Sequence, residues 1–245
     1  MDERHTQLAG LTTFLISERL PARLRVVFLH GFDMQASDLT PFAHSLAVPG
    51  VAYAFPQAPL AVSETGYGWW AGGGRPKATA DRAAPRDLWD ELPAGREAAR
   101  ERLSEFLGTL QSRYGEPVVL AGFSQGGMLA CDSVLMNGTE VCGLAAMSAS
   151  GIAGTQWLQQ QEHLAGLPAF VSHGRDDPDL SFAAGQRLAA FLTSSGASVD
   201  WLPFDGGHGI PFQVWKGFRR FLQARVHATA QANAYGGYTG QDARL

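Results

Sequence analysis

The feature that most constrains this chain is a short apolar run that passes into a glycine-bracketed serine and then straight into a helix opening. Residues 118–121 (VVLA) have the continuous hydrophobicity of a strand buried on both faces. They lead into Gly122-Phe123-Ser124-Gln125-Gly126, and Gly127-Met128-Leu129-Ala130 follows as the start of a helix. A G-x-S-x-G segment in this setting forms a strained strand-to-helix turn that lifts the serine above the sheet, while the small flanking residues let strand and helix approach. In a chain with 29 glycines the pattern alone is a weak hit; its position between a strand and a helix makes it specific.

The rest of the chain keeps the same alternation. Leu11–Ser17, Leu24–Leu29, 51–55, 118–122, Gly143–Met147, 169–172 and 199–204 read as strands, about seven in all. Between them, Arg96–Tyr114 sets Ala99, Leu103, Phe106, Leu107, Leu110 and Tyr114 on one helical stripe. Phe182, Leu188, Phe191 and Leu192 predict a second such helix, and Val214, Trp215, Phe218, Phe221, Leu222 and Arg225 a third, with Arg225 closing the ordered fold. Ser37 or Asp38 can cap a short helix reaching Leu46. The fold class is therefore α/β: a mainly parallel sheet with helices on both faces, in one domain over 1–226.

Composition narrows the function classes. With 45% apolar and 17% charged residues, wholesale disorder is excluded. A net charge of −4, with the 19 Lys and Arg scattered and only Arg219 and Arg220 adjacent, leaves no basic stripe for nucleic acid. No window approaches the roughly 20 apolar residues of a membrane span, and Met-Asp-Glu-Arg-His has no apolar run behind its charges, so a cytoplasmic protein is expected. Cys131 and Cys142 are too few for a disulfide framework and lack neighbours at zinc-ligand spacing; both read as small buried residues, and no metal is expected.

Two stretches break the rhythm. Residues 63–93 form a long Gly- and Pro-rich insert carrying Trp69, Trp70 and Trp89, the pattern of a lid or pocket loop. The tail 227–245 lacks periodicity and reads as flexible.

A serine hydroxyl is a weak nucleophile at neutral pH and needs a base, normally a histidine oriented by a carboxylate. Of the seven histidines, His208 is best placed, in FDGGHGIP between the last strand and the last helix. His173 follows a strand beside a glycine and reads as a structural histidine supporting its turn. The acid should follow strand 169–172, where Asp176, Asp177 and Asp179 are all candidates and periodicity does not choose among them. An oxyanion hole needs two backbone N–H groups. Gln125, directly after the serine, and Phe32, in the His30-Gly31-Phe32 turn after an earlier strand, are nominated.

LHG at 29–31, GFSQGG at 122–127, HGxxDP at 173–178 and GGHxIP at 206–211 together resemble the phospholipase/carboxylesterase family of α/β-hydrolases, the group of bacterial carboxylesterases and acyl-protein thioesterases. FPQAP at 55–59, and the tryptophan after it at Trp69 or Trp70, are similar to the family's segment following the third core strand. The resemblance covers residues 11 to about 225. It implies Ser124 as nucleophile, His208 as base and Asp177, the aspartate before proline, as the orienting acid. It also implies a monomer or homodimer, no cofactor, and hydrolysis of carboxylic esters or thioesters. The 63–93 insert is longer than the family's usual loop, Gly209 stands where many bacterial members carry an acidic residue, and the tail is extra.

The expected function is a serine carboxylesterase acting on short to medium acyl esters through an acyl-enzyme, with Trp69 and Trp70 in a wall of the substrate pocket. Acyl-protein thioesterase or lysophospholipase activity would use the same residues. A non-catalytic binding module on the same fold would be expected to lack at least one of the Ser, Asp and His; candidates for all three are present in the expected order.

Overall fold

The apolar runs become the centre of one twisted sheet. The computed structural model describes residues 1–18, 21–72 and 84–236. In chain order the strands are β1 (Asp2–Leu8), β2 (Leu11–Ser17), β3 (Leu24–Leu29), β4 (Val51–Pro56), β5 (Leu60–Ala61), β6 (Tyr67–Gly68), β7 (Val118–Phe123), β8 (Gly143–Met147), β9 (Pro168–Gly174) and β10 (Ser198–Phe204). The helices are α1 (Thr40–Leu46), α2 (Arg96–Tyr114), α3 (Gln125–Asn137), the single turn α4 (Gly154–Trp157), α5 (Phe182–Ser194) and α6 (Phe212–Gly236). Eight strands form the main sheet in the order β1-β2-β4-β3-β7-β8-β9-β10, and β5 and β6 form a separate ribbon. From β4 to β10 all neighbours are parallel; β2 and β1 continue the sheet antiparallel.

Alternation along each central strand feeds two cores. On β7, Val118 and Leu120 join the core under α2, α3 and α5, contributed by Leu103, Phe106, Leu129 and Leu188. Val119, Ala121 and Phe123 join the core under α1 and α6, with Ala43, Trp215 and Phe218. A strand covered by helices on both faces is apolar nearly throughout, which is why these segments were legible as strands; the buried Arg25 of β3 is paired with Glu116 at 3.1 Å. After β3 the chain goes out to β4 on one side and later returns to β7 on the other. The two neighbouring strand ends at β3 and β7 are thus the switch point where a crevice opens in such sheets.

Three expectations change. An eighth strand, β1, is added: its DERHTQ sequence is almost wholly solvent-facing, so it has no apolar signature. The tight turn Ala9-Gly10, with φ of 48° and 76°, folds it back on β2, and its charges suit an exposed sheet edge. Helix α6 does not close at Arg225 but runs through Gly236; Val226 remains buried, and the alanines beyond it favour helix. Only 237–245 of the expected tail lie outside the described residues. Cys131 is buried as expected, but Cys142 is half-buried, its thiol donating to the Val118 carbonyl at 3.2 Å.

A Cβ on Gly126 would lie 2.3 Å from the Leu29 carbonyl oxygen, backbone against backbone, whereas one on Gly108 in α2 would meet nothing within 4 Å. Gly126→Ala is expected to cost about 3 kcal/mol or more, while Gly108→Ala gains about 0.5–1 kcal/mol from helix propensity. Denaturant unfolding of the two variants checks the pair; equal effects would show that the α3–β3 contact is not tight.

Candidate active site

β7 ends where its chain must turn sharply into α3, and Ser124 takes up that turn with φ 51° and ψ −120°, a region that ordinary L-residues avoid. The turn is possible because no side chain stands in its way: a Cβ on Gly122 would lie 2.3 Å from the Gly126 carbonyl carbon. The Ser124 N–H donates to the Met147 carbonyl at 2.9 Å, and its own carbonyl accepts from Met128 N–H at 3.0 Å. Ser124 thereby stands at the positive N-terminal end of α3, at the top of the sheet.

The loop between β10 and α6 brings His208 to the same place. Its Nε2 lies 2.9 Å from Ser124 Oγ, and its Nδ1 lies 2.7 Å from Asp177 Oδ2. A carboxylate only accepts, so Nδ1–H donates to Asp177 and Nε2 is left to accept the serine O–H. The other carboxylate oxygen, Oδ1, accepts from the backbone N–H groups of Asp179 and Leu180 at 2.8 and 3.0 Å. Burial alone would raise the Asp177 pKa. Hydrogen bonds from His173 and His208, the His208 charge and the Leu180 N–H outweigh burial and hold the carboxyl well below the usual range. Asp176 points to solvent and Asp179 lines the cavity, so of the three aspartates in the turn it is Asp177 that meets His208.

The His208 loop is itself anchored. Buried Ser148, with φ 46°, donates its hydroxyl to the Gly209 carbonyl at 3.0 Å. Gly174 lets the two turns touch, since a Cβ there would lie 2.3 and 2.4 Å from the Gly206 and Gly207 carbonyl oxygens.

Above Ser124 lies a cavity of about 470 Å³. Phe32 and Gln125, the nominated N–H donors, both border it, together with Met34, Leu88, Met128 and Leu180. The two tryptophans part company: Trp70 lines the cavity, while Trp69 is not among its walls and is packed behind them. Trp69 donates its indole N–H to the His30 carbonyl at 2.9 Å and its backbone N–H to the Gln125 side chain at 2.8 Å. That same amide donates to the Trp70 carbonyl at 3.1 Å. The Gln125 side chain therefore clamps the 69–70 segment onto the first turn of α3.

Sequence reasoning missed the polar scaffold beneath this clamp. His30 is completely buried. Its Nδ1–H donates to the Gly31 carbonyl at 2.8 Å, leaving Nε2 to accept from Ala58 N–H and the Gln57 amide, each at 3.0 Å. Burial lowers its pKa to about 4, against smaller opposing effects of the Gly31 carbonyl and Asp38, so the ring is neutral at pH 7. The histidine of the HG turn and the lone glutamine of the otherwise apolar FPQAP segment were the available signals. The 63–93 insert is likewise more structured than a plain loop. Residues 86–93 form a strap: Arg86 pairs with 179–181 through backbone hydrogen bonds, and Ala153 and Gly154 N–H donate to the carbonyls of Glu91 and Trp89. Trp89 wedges where Gly151 and Gly154 leave room; Cβ atoms there would fall within 2.4 Å of its ring. Residues 73–83 of the insert lie outside the described residues.

A family model described as phospholipase/carboxylesterase matches residues 12–226. The chain belongs to the phospholipase/carboxylesterase family. Among curated relatives, a probable carboxylesterase, SOBER1-like, of Arabidopsis thaliana is 29% identical over 127 residues, 48% of this chain and 46% of that protein. Acyl-protein thioesterase 1 of Cryptococcus neoformans is 34% identical over 76 residues, 31% and 32% of the two chains. In the first of these alignments the chain spans about half the relative's length. Solved structures match over nearly their whole length. A carboxylesterase from Mesorhizobium loti superposes with TM-score 0.72 at 19% identity, covering 91% of this chain and 99% of that one. Zea mays acyl-protein thioesterase 2 gives 0.72 at 17%, covering 87% and 98%. At these identities the likeness establishes the α/β-hydrolase fold for this family member.

His30 supplies a prediction. Folded, it binds a proton only near pH 4, whereas unfolded it does so near 6.5. Between those values the unfolded chain holds more protons, so stability falls as pH drops from about 6.5 toward 4, by roughly 3 kcal/mol in total. Equilibrium unfolding across this range should show the slope in the parent chain and a flatter one in His30→Gln; the same slope in both would contradict the assignment.

Proposed function

We propose that this family member is a serine carboxylesterase in which Ser124 is the nucleophile, His208 the general base and acid, and Asp177 the residue that orients His208. The observation that carries the reading is the unbroken hydrogen-bonded chain from Ser124 Oγ through His208 to Asp177 at the floor of a cavity. In the first half-reaction Ser124 Oγ bonds to the acyl carbon as its proton passes to His208 Nε2. The carbonyl electrons move onto oxygen, where the N–H groups of Phe32 and Gln125 stabilise the charge. Collapse expels the alcohol, protonated by His208, and leaves the acyl-enzyme. Water, deprotonated by His208, then releases the acid and restores the serine. The positive end of α3 and the ionised Asp177 favour the anion and the imidazolium that form together. No step calls for a metal or cofactor, and the reading assigns none.

The cavity is the size of a small-molecule site, with an apolar wall of Phe32, Met34, Trp70, Leu88, Met128 and Leu180 that supports short to medium acyl esters, while Arg86, Glu91 and Asp179 add charge to its lining. Trp70 is the tryptophan we assign to the substrate wall. Thioesters are the second reading, favoured by the relatives named acyl-protein thioesterase. Among the described residues no helix is long and apolar enough to cross a membrane, and we place the enzyme in the cytoplasm as a monomer or homodimer.

A panel of p-nitrophenyl esters of rising acyl length, run beside an acyl-thioester, tests the reading. Ser124→Ala should lower turnover of every substrate that is cleaved by about 10⁴-fold or more; a folded variant within tenfold of the parent would overturn it. Asp177→Asn should lower kcat on the order of 10⁴-fold by favouring the wrong imidazole tautomer, while Asp176→Asn and Asp179→Asn cost less than about tenfold. An Asp176→Asn enzyme more impaired than Asp177→Asn would mean that the acid has been misassigned.

A further inference from the structure

Asp177 is approached by a second imidazole. His173, completely buried at the end of β9, places Nε2 3.3 Å from Asp177 Oδ2 and 3.1 Å from the Leu180 carbonyl oxygen. Both neighbours only accept, so Nε2 carries the ring proton, donating it to the Leu180 carbonyl with Asp177 Oδ2 close beside it. Nδ1 is then bare, buried and without a hydrogen-bond partner among the described residues. The Leu180 bond supports the turn, as expected of His173, but it uses only Nε2, and the orphaned second nitrogen carries a cost that an apolar ring would avoid. The ring also cannot withdraw. A Cβ on Gly185 of α5 would lie 2.4 Å from its Cγ and Nδ1, and Phe182 meets it edge-on with centroids 6.4 Å apart. What the ring supplies in this position is one N–H, which donates to the Leu180 carbonyl and lies beside the carboxylate oxygen that receives His208.

We propose that His173 is a positioning residue whose Nε2–H completes the shell around the Asp177 carboxylate and restrains how strongly that carboxylate attracts the His208 proton. The inference rests on Ser124, His208 and Asp177 acting as proposed above. With His173 present, Oδ1 accepts two backbone N–H groups, and Oδ2 accepts His208 Nδ1–H with the His173 Nε2–H group 3.3 Å away, so both carboxylate oxygens face N–H groups. Among the described residues, the elements packed around it bring further charged groups, the strap contributing Arg86, whose backbone pairs with 179–181. The turn carries Arg175, Asp176 and Asp179; the His208 loop carries Asp205, which pairs with Arg175; and α5 presents Gly185 and Phe182 to the ring. The end of β8 contributes Met147 and Ser148.

The sign of the effect follows. Removing the His173 donor leaves more negative charge on Oδ2, which stabilises protonated His208 and moves the acid limb of the kcat/KM profile to higher pH. His173→Phe should lower kcat about tenfold or more with KM nearly unchanged, and move the acid limb upward by about half a unit. His173→Gln, which can return an N–H to the Nε2 position, should recover most of the rate and the parental limb. A purely structural role predicts otherwise: Phe and Gln impaired alike, or kcat reduced with the limb unmoved, and either result overturns the proposal. If the Phe variant does not fold, Gln and Asn carry the comparison, because they share the amide and differ in reach; Gln should keep the parental limb and Asn shift it, and identical limbs would overturn the proposal. Ser124→Ala in the same series separates the two claims. Activity retained there refutes the serine mechanism, whereas a dead Ser124→Ala with unshifted His173 variants refutes only this inference.

Discussion

The contact from which the site is built is backbone on backbone: the first turn of α3 is pressed against the ends of β3 and β7. Gly126 touches the Leu29 and His30 carbonyls and Gly122 faces Gly126, at distances that leave no room for a Cβ. This closeness forces Ser124 into its left-handed turn and at the same time sets where the His30-Gly31-Phe32 turn stands relative to Gln125. The two N–H groups assigned to the oxyanion thus belong to elements in direct contact, so the geometry between them does not depend on flexible side chains. The strain at Ser124 is sustained because the strand and helix on either side are anchored in two buried cores.

Around that contact, polar groups rather than apolar ones decide which way each loop points. Neutral His30 ties the β3 turn to the segment after β4, the Gln125 amide ties α3 to residues 69–70, and Ser148 ties the end of β8 to the His208 loop. A fourth group lies behind α3, where fully buried Asp132 accepts from the Trp157 indole at 2.7 Å and from Arg96 at 3.1 Å, with Arg100 at 3.5 Å. Burial pushes the Asp132 pKa up, and Trp157 and the two arginines oppose it. Arg96 opens α2 directly after the strap, and Trp157 packs against Trp89 within it. The cavity wall formed by the strap is therefore fastened to the same helix that begins at Ser124. Losing one member of such a cluster leaves a buried charge without compensation, a larger penalty than the pair's own worth.

The parts of the molecule that could be read from the chain are those in which one physical requirement acts alone. A strand covered on both faces is apolar nearly throughout, so Leu24–Leu29 and 118–122 were plain; β1, an edge strand facing water, was not. The elbow was legible because close approach needs glycine at particular spacings. The acid was not: Asp176, Asp177 and Asp179 share one turn, and spacing cannot tell which carboxylate faces inward. Family resemblance pointed to Asp177, and in the structure it is Asp177 that hydrogen-bonds to His208. His30, Gln57 and the Gln125 side chain were invisible for a different reason, since their roles rest on partners 27 to 56 residues away. Trp69 and Trp70 looked alike in sequence and part company only through packing.

The central claim is that Ser124 is the nucleophile, poised by His208 and Asp177 beneath an open cavity. A fluorophosphonate that forms a covalent phosphonyl-serine adduct tests it most directly, with intact mass followed by peptide mapping of the labelled chain. The account predicts one adduct per chain, on the peptide containing Ser124, with hydrolysis lost in proportion to labelling. A folded, hydrolytically active protein that takes no label, or takes it on another serine such as Ser148 or Ser150 while Ser124 stays free, would contradict it.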